Sequence, residues 1–353
     1  MDLRVTSAPE RVAVVVPCRN EASRIAALLD AIRTQEVPPH HIVVIDTGSS
    51  DGTRDILVDY QRRYPPFPLT CLSRPGLGLS AALNVAIDAA HGDIIIRLDG
   101  HSRPEPDYVR RAVAALSETG AGVVGGVWNV APGRPTRRAE AIACAVSNPI
   151  GAGDAVYRTA RATDVLTVCD TVPFGCFRKT TWRRLGGFNE SLLTNEDYEF
   201  NYRARRSGLL VLLDSRIRCT YFARGTLTEL AKQYFRYGWW KGQLLRQHPR
   251  SLRWRQILPG ALVPLLAALV VATIIWRNWL APGSLTLAYG VLVGFGGFDV
   301  AWRRNRWDLL LIVPAVFAVV HWSWSLGLWV HLATGGRWSH QPAGGGTVDI
   351  EAG

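Results

Sequence analysis

Three long apolar runs near the C-terminal end constrain this chain more than any other feature. They are "ILPGALVPLLAALVVATIIW" (257–276), "LTLAYGVLVGFGGFDVAW" (285–302) and "LLLIVPAVFAVVHWSWSLGLWVHLAT" (309–334). A helix needs about 20 apolar residues to cross the hydrocarbon core of a bilayer, and the first and third runs reach that length. The middle run is shorter, rich in glycine, and carries Asp299. Of 13 tryptophans, 11 lie from Trp239 onward, many at the ends of these runs, as an aromatic belt at the membrane surface requires. Buried helices of a soluble core are the alternative, but they rarely run to such uncharged lengths. The expectation is a membrane domain over 257–334 with about three spans.

The net charge of +11 suits nucleic acid, an anionic membrane surface or a phosphate-bearing substrate, so the placement of the charge has to decide. Arg250, Arg253 and Arg255 precede the first run, and Arg303, Arg304 and Arg306 separate the second from the third. Only Arg277 lies between the first two, and only Arg337 follows the third. The positive-inside rule then places residues 1–256 in the cytoplasm, as part of an integral inner-membrane protein. Membrane topology accounts for the basic excess, and no nucleic-acid partner is expected. The start, "MDLRVTSAPE", is too polar for a signal peptide. Six cysteines without CxxC or zinc-ligand spacing read as reduced thiols. The Gly-rich tail, 335–353, is expected to be disordered.

Ahead of the apolar runs, short hydrophobic stretches alternate with helical periodicity. "VAVVVP" (12–17), "HIVVID" (41–46), "DIIIRLD" (93–99) and "AGVVGGV" (121–127) read as strands. Ile25, Leu28, Leu29 and Ile32 form one face of an intervening helix. Strands that are apolar throughout and separated by helices predict an α/β, Rossmann-like, mostly parallel sheet with helices on both faces. Ligands of such sheets sit beyond the carboxyl ends of the strands.

The polar residues after those strands are therefore the candidates. In "PCRNEAS", Pro17 stops the strand and Arg19, Asn20 and Glu21 emerge, either toward a ligand or into a plain turn. In "VIDTGSSDGT", Asp46 can accept from a base or sugar, and Ser50 or Asp51 can cap a helix whose amides favour an anion. This stretch is not the GxGxxG dinucleotide loop, and the chain has no GxxxxGK[ST] loop, which excludes ATP hydrolysis of the P-loop type. "SRPGLGLSAALN" (73–84) offers Arg74 as a lid on a diphosphate, or merely a flexible turn with a solvated arginine. In "IIIRLDGHSRP" (94–104), Asp99 ends a strand and His101 follows two residues on. Residues i and i+2 of an extended chain point the same way, so both could meet one cation, unless His101 only packs the turn. Imidazole beside carboxylate leans toward Mn²⁺ while allowing Mg²⁺. In "TNEDYEFNYR" (194–203), Glu196 and Asp197 open a helix, as a catalytic base or as simple dipole compensation. "TLTELAKQYFRYGWWKGQLLRQHP" (226–249) reads as an amphipathic helix whose Trp239 and Trp240 suit a membrane interface, or as a basic surface helix.

"VVVPCRNEAS", "VVIDTGSSDGT", "GLSAALNVAI", "GDIIIRLDGHS", "GGFNE", "TNEDYEFNYR" and "QYFRYGWW", in that order, resemble glycosyltransferase family 2 over roughly residues 10–245. The "DGH" form with trailing spans is similar to its succinoglycan-biosynthesis glucosyltransferase-like branch. The resemblance implies a GT-A fold, a nucleotide-sugar donor, a divalent cation (Mn²⁺ or Mg²⁺) and an inverting reaction. Carried over by motif, Pro17, Arg19, Glu21 and Asp46 would line the nucleoside pocket, with Arg74 toward the diphosphate. Asp99 and His101 would take the D-x-D positions, His101 on the metal-binding place, and Asp197 would be the general base. Phe174, Gly175 and Glu196 would shape the acceptor side. Gln233 and Arg236 match the first two fixed positions of Q-x-x-R-W, where Tyr237 replaces the usual Trp. Thr47 stands where many members carry a second Asp that reads uracil, which loosens the expectation of a UDP-sugar.

The expected organisation is a cytoplasmic transferase domain over 1–225, an interfacial segment over 226–256, the membrane domain and the tail. The acceptor expected beside such spans is a polyprenyl-diphosphate-linked saccharide of exopolysaccharide or cell-surface polysaccharide synthesis. The rivals are a processive polysaccharide synthase, for which three spans make a poor channel, a nucleotidyltransferase, and a non-catalytic scaffold with a degenerate nucleotide fold.

Overall fold

The computed structural model describes residues 10–159, 166–277 and 279–336. The readings made on the first nine residues, on Arg337 and on the tail from 337 lie outside the described residues. In chain order the first elements are β1 (Val12–Cys18), α1 (Ile25–Arg33), β2 (His41–Asp46), α2 (Thr53–Arg63), β3 (Leu69–Ser73) and α3 (Leu79–Ala89). Next come β4 (Ile94–Arg97), β5 (Ser102–Pro104), α4 (Tyr108–Thr119), β6 (Val123–Ala131), α5 (Arg137–Val146), α6 (Pro149–Ala152) and α7 (Val156–Thr159). After these follow β7 (Leu166–Val168), β8 (Cys176–Arg178), α8 (Lys179–Arg184), α9 (Glu196–Arg206), β9 (Val211–Phe222) and α10 (Leu227–Gln247). Three long helices close the described chain: α11 (Ile257–Trp276), α12 (Leu280–Arg304) and α13 (Ile312–Thr334).

The chain forms two compact units, one holding residues up to Gly125 together with Val172–Leu212, the other Gly126–Thr171 and Leu213 onward. The first unit is built on the parallel strands β3, β2, β1 and β4, with Val14 opposite Ile42 on one side and Ile96 on the other. Every residue of β1 is buried, as a strand covered by helices on both faces must be. α1 buries Ile25, Leu28, Leu29 and Ile32, the stripe that its spacing predicts. The sheet is mostly parallel, as expected, with one strand that the sequence pattern did not single out. β8 runs antiparallel beside β4, pairing Ile95 with Phe177, and antiparallel to β6 at Val124–Cys176, so the sheet is mixed. Antiparallel order needs no helical crossover, and a three-residue strand leaves too little pattern to be read. All six cysteines are free.

In the second unit, three helices are long and apolar enough to cross a membrane. The Gly-rich middle run becomes a 25-residue helix, roughly 37 Å at about 1.5 Å per residue. That exceeds the hydrocarbon thickness of about 30 Å. Asp299 near its end accepts from Asn148 and pairs with Arg303, so its charge is not left alone among apolar neighbours. α11 and α12 expose Ile274, Trp276, Leu280, Leu287 and Val291, a surface that lipid accepts and water penalises. α13 instead buries Val313, Val316, Phe317, Val320, Trp324 and Leu328.

α10 lies directly on α13. A Cβ at Gly238 would stand 1.9 Å from the Trp324 carbonyl oxygen, and one at Gly327 2.1 Å from that of Phe235. Backbones meet here with no side chain between them, the contact small residues permit between membrane helices. Trp239 is consequently buried, edge-on to His331, rather than spread over an interface.

Candidate active site

The carboxyl ends of β1 and β2 carry loops that fasten each other. Asn20, in the left-handed region at φ 57°, accepts from the Ser50 amide at 2.8 Å and donates its own amide to Ser49 Oγ at 2.9 Å. The Glu21 amide donates to Thr53 Oγ1, and the Ala22 amide to Asp51. Asp51 also accepts from the Thr53 amide, while the residue before α2 is Gly52. The first amide of the helix foreseen as an anion cradle, that of Thr53, is thus already taken by Asp51 of its own loop. Asp46 is buried and accepts from the Ser49 amide, and its own carbonyl accepts from the Arg74 amide at 2.8 Å. Gly48 stands at φ 105°, and a Cβ there would lie 3.5 Å from Pro75, so the backbone angle rather than space calls for glycine. Pro17 is buried, while Arg19 and Arg74 are exposed, the Arg74 guanidinium donating to the Ser73 carbonyl.

Beyond β4 the structure corrects the extended geometry assumed for Asp99 and His101. The chain turns there, closed by the Ser102 amide donating to the Asp99 carbonyl at 2.9 Å. His101 is held by Glu21, with Nδ1 and Oε1 2.9 Å apart. A carboxylate on one ring nitrogen fixes an imidazole's orientation, as second partners of metal-bound histidines do.

The group that organises this end of the sheet went unnoticed in the sequence: Arg97, the last residue of β4. Its side chain is buried. Nε and Nη2 donate to Asp99 Oδ1 at 3.1 and 3.0 Å, and Nη1 forms an ion pair with Glu196 Oε1 at 2.8 Å. One guanidinium therefore bridges the D-x-D aspartate and the E-D pair. The visible signal was a charge closing the apolar run "IIIR" just before Asp99. A strand covered on both faces rarely spends a residue on a charge without partners waiting.

Glu196 and Asp197 open α9 behind Asn195, which takes the left-handed conformation at φ 69°. That kink stops the preceding chain and turns both carboxylates at the helix start, where amides are unsatisfied. Glu196 is buried, and Asp197 is half-buried, accepting from the Tyr198 amide at 2.7 Å. Burial pushes both carboxyls above the usual carboxylate range, against the opposing pull of Arg97. A base raised in this way keeps some appetite for a proton near neutrality, which general-base catalysis uses.

Phe174 also adopts a left-handed backbone, at φ 50°, unusual for a bulky residue. Its ring is buried, and its carbonyl accepts from Tyr108 Oη. The Gly175 carbonyl accepts from the Arg97 amide at 3.2 Å. Of the two, Gly175 supports the Arg97 backbone directly. The "GGFNE" motif is clamped by Asn84, which donates to the Phe188 carbonyl and accepts from its amide.

In the second unit, Gln233 is buried and donates to Tyr237 Oη at 2.8 Å and Tyr221 Oη at 3.2 Å. The tyrosine in place of the usual Trp supplies a hydroxyl for its motif partner. Arg236 is exposed.

Among the described residues, no three His, Cys, Asp or Glu side chains gather as a metal cluster. Asp99 and the Glu21-steadied His101 fit a divalent cation that draws its further ligands from a bound diphosphate, by the chemistry of the donor set.

The Glycosyl transferase family 2 model matches residues 13–182. Succinoglycan biosynthesis protein ExoA of Rhizobium meliloti (strain 1021) is 31% identical over 323 residues, covering 90% of this chain and 94% of that protein. The undecaprenyl-phosphate 4-deoxy-4-formamido-L-arabinose transferase of Serratia proteamaculans (strain 568) is 31% identical over 121 residues, 33% of this chain and 37% of that one. Among solved structures, the mannosyltransferase PcManGT from Pyrobaculum calidifontis, in complex with GDP-Man and Mn²⁺, superposes with TM-score 0.60 at 20% identity. That superposition covers 89% of this chain and 86% of that one, and supports the GT-A fold. With a mixed, mostly parallel sheet, three apolar C-terminal helices and a relative matched along nearly its whole length, the chain belongs to glycosyltransferase family 2.

Proposed function

We propose that this glycosyltransferase moves a sugar, with inversion, from a nucleotide-sugar to a lipid-linked saccharide at the cytoplasmic face of the membrane, in exopolysaccharide or cell-surface polysaccharide synthesis. The observation that carries the reading is the Arg97 bridge, which ties Asp99 on the donor side to Glu196, the neighbour of Asp197. Pro17 and Asp46 stand at the carboxyl ends of β1 and β2, and Arg19, Glu21 and Arg74 on the loops after β1 and β3, where an α/β sheet takes its nucleotide. A UDP-sugar is the donor first expected. Asp99 and His101 would hold a divalent cation, which supplies neutralisation of the donor's diphosphate. A relative's structure with Mn²⁺ and a sugar nucleotide supports this choice.

Asp197 takes the proton from the acceptor hydroxyl, and the freed oxygen attacks the anomeric carbon from the face opposite the leaving diphosphate. Glu196 stays locked to Arg97 and fixes the start of α9, so that Asp197 keeps its place. Gln233 and Arg236 serve the diphosphate. Positioning and electrostatic stabilisation of the departing charge carry most of the rate. The three apolar helices keep the acceptor's lipid beside the enzyme, and the arginines before α11 and between α12 and α13 support a cytoplasmic catalytic domain.

The test is titration of purified protein with UDP-, GDP- and dTDP-sugars, with and without Mn²⁺, alongside Asp197→Asn. Metal-dependent binding of one donor is expected, retained by the variant, whose transfer falls by about 10²-fold or more. Turnover retained by Asp197→Asn removes that residue as the base. Absence of binding to any donor overturns the transferase reading.

A further inference from the structure

The second unit holds an arginine whose charge no carboxylate balances among the described residues. Arg158, on α7, lies with Cζ 5.0 Å from the ring centre of Trp128, 5.5 Å from Tyr157 and 5.9 Å from Tyr221. Trp128 stacks on Tyr221 at 4.1 Å and meets Tyr157 edge-on at 5.1 Å, so the rings form a continuous wall. On the remaining side are Tyr234 and Tyr237, 5.5 Å apart. Among the described residues no carboxylate forms an ion pair with Arg158. Its Nη1 reaches only the Val146 carbonyl and Tyr234 Oη, each at 3.4 Å, while Nε and Nη2 make no hydrogen bond. Both contacts exceed the usual range of about 2.7–3.2 Å.

Ring faces attract a guanidinium, but they satisfy none of its five N–H donors. Arg158 is half-buried, so its charge loses part of its hydration, and proteins normally supply a counterion to such a group themselves. The exception is a site whose counterion arrives with the ligand. The planar fork matches a phosphate bidentately, and tyrosine hydroxyls can add further donors to it.

The setting points to which phosphate. Asn148, between α5 and α6, bonds Asp299 on α12, and the Ile150 carbonyl meets His321 Nε2 on α13 at 2.8 Å. Tyr234 belongs to the same buried cluster as Val293, Phe317 and Leu328 of those helices. The segment carrying Arg158 is therefore moored to the apolar helices, beside which a lipid-borne phosphate would be presented.

We infer that Arg158, in its box of Trp128, Tyr157, Tyr221, Tyr234 and Tyr237, binds the diphosphate of a polyprenyl-linked acceptor. The inference rests on the lipid-linked acceptor proposed above. A nucleoside diphosphate offers the same chemistry, so the test separates the two sources.

Full-length protein in nanodiscs of zwitterionic lipid is titrated with farnesyl diphosphate, with farnesol and with UDP. Wild-type protein binds farnesyl diphosphate about tenfold or more tighter than farnesol. Arg158→Ala removes that preference and leaves UDP affinity unchanged. Arg158→Lys keeps the charge without the fork and falls between, and it carries the test should the alanine variant not fold. Farnesyl diphosphate bound equally by wild type and both variants, or no better than farnesol, overturns the inference and leaves Arg158 a stacked structural cation. Loss of UDP affinity with lipid binding intact overturns it too, in favour of the donor's phosphate. Wild-type protein that prefers the lipid diphosphate yet ignores UDP supports the Arg158 site while breaking the donor reading.

Discussion

Arg97 is buried and Arg158 half-buried, and their surroundings could hardly differ more. Arg97 meets two carboxylates, Asp99 and Glu196, within 3.1 Å, and its backbone is fixed by the Gly175 carbonyl. Arg158 meets aromatic faces, one hydroxyl and one carbonyl, the latter two at 3.4 Å. A charge balanced internally holds protein groups in place; a charge balanced by nothing is prepared for something that arrives. Replacing the two residues should therefore fail in opposite ways.

The largest effect is expected at Arg97. Arg97→Met leaves Glu196 buried without its partner, and breaking a buried ion pair from one side costs about 3–5 kcal/mol. Thermal unfolding of the variant should show that loss, and transfer should disappear with it. Arg158→Met strands no partner charge, so it forfeits only ring contacts worth about 1–2 kcal/mol. Equal destabilisation by the two would mean that Arg158 has a counterion after all and break the comparison.

The units also differ in what holds their elements together. In the second, the α10–α13 contact depends on absent side chains. Gly238→Ala places a methyl 1.9 Å from the Trp324 oxygen, so the helices must part, at a cost of about 1–3 kcal/mol. Gly290 on α12 has nothing within 4 Å, and the same replacement there should be neutral or mildly stabilising. Melting both variants in the same detergent sharpens the point, because propensity favours alanine at each site and only packing separates them.

Much of the first unit was legible in the sequence because its strands are buried on both faces, which leaves uninterrupted runs such as "VAVVVP" and "HIVVID". α1 was legible because four apolar residues at helical spacing admit one face. β8 escaped because three residues carry no period, and an antiparallel neighbour is fixed by pairing rather than by pattern. The turn at Asp99–His101 escaped because the glycine between them permits either geometry. Arg97 and Arg158 escaped for a deeper reason. A single arginine in a sequence does not tell whether carboxylates or rings will surround it, since those partners come from residues 99 and 196 in one case, and 128, 157 and 221 in the other.

The burial that raises Glu196 and Asp197 gives the site a pH signature. A base with a raised pKa becomes competent only as pH climbs through it, so the acid limb of kcat/KM should lie above the ordinary carboxylate value of about 4. Stability runs the other way. The folded state keeps protons that the unfolded chain has already released, so stability falls as pH rises from the unfolded pKa through the folded ones, then levels. A rate profile whose acid limb sits near 4 would show that Asp197 is more open to water than the half-buried position described.

The smallest expected effect concerns Tyr237, where this chain departs from the motif. Its hydroxyl accepts from Gln233 Nε2 at 2.8 Å, and Tyr221 Oη offers the same amide a second acceptor at 3.2 Å. Tyr237→Phe removes one acceptor and leaves the other, so the amide stays partly satisfied and the penalty stays near the net worth of one hydrogen bond, about 1 kcal/mol. Expressed in kinetics, a side chain that steadies Gln233 should raise the KM for the donor by about two- to fivefold and leave kcat nearly unchanged. A fall in kcat alone would place Tyr237 nearer the reacting atoms than the Gln233 contact implies. Tyr237→Trp separates the two further, because it restores the usual residue while deleting the hydroxyl. If that variant behaves like Tyr237→Phe, the hydroxyl is what this position contributes; if it behaves like wild type, the ring is, and the wall around Arg158 depends on shape more than on donors.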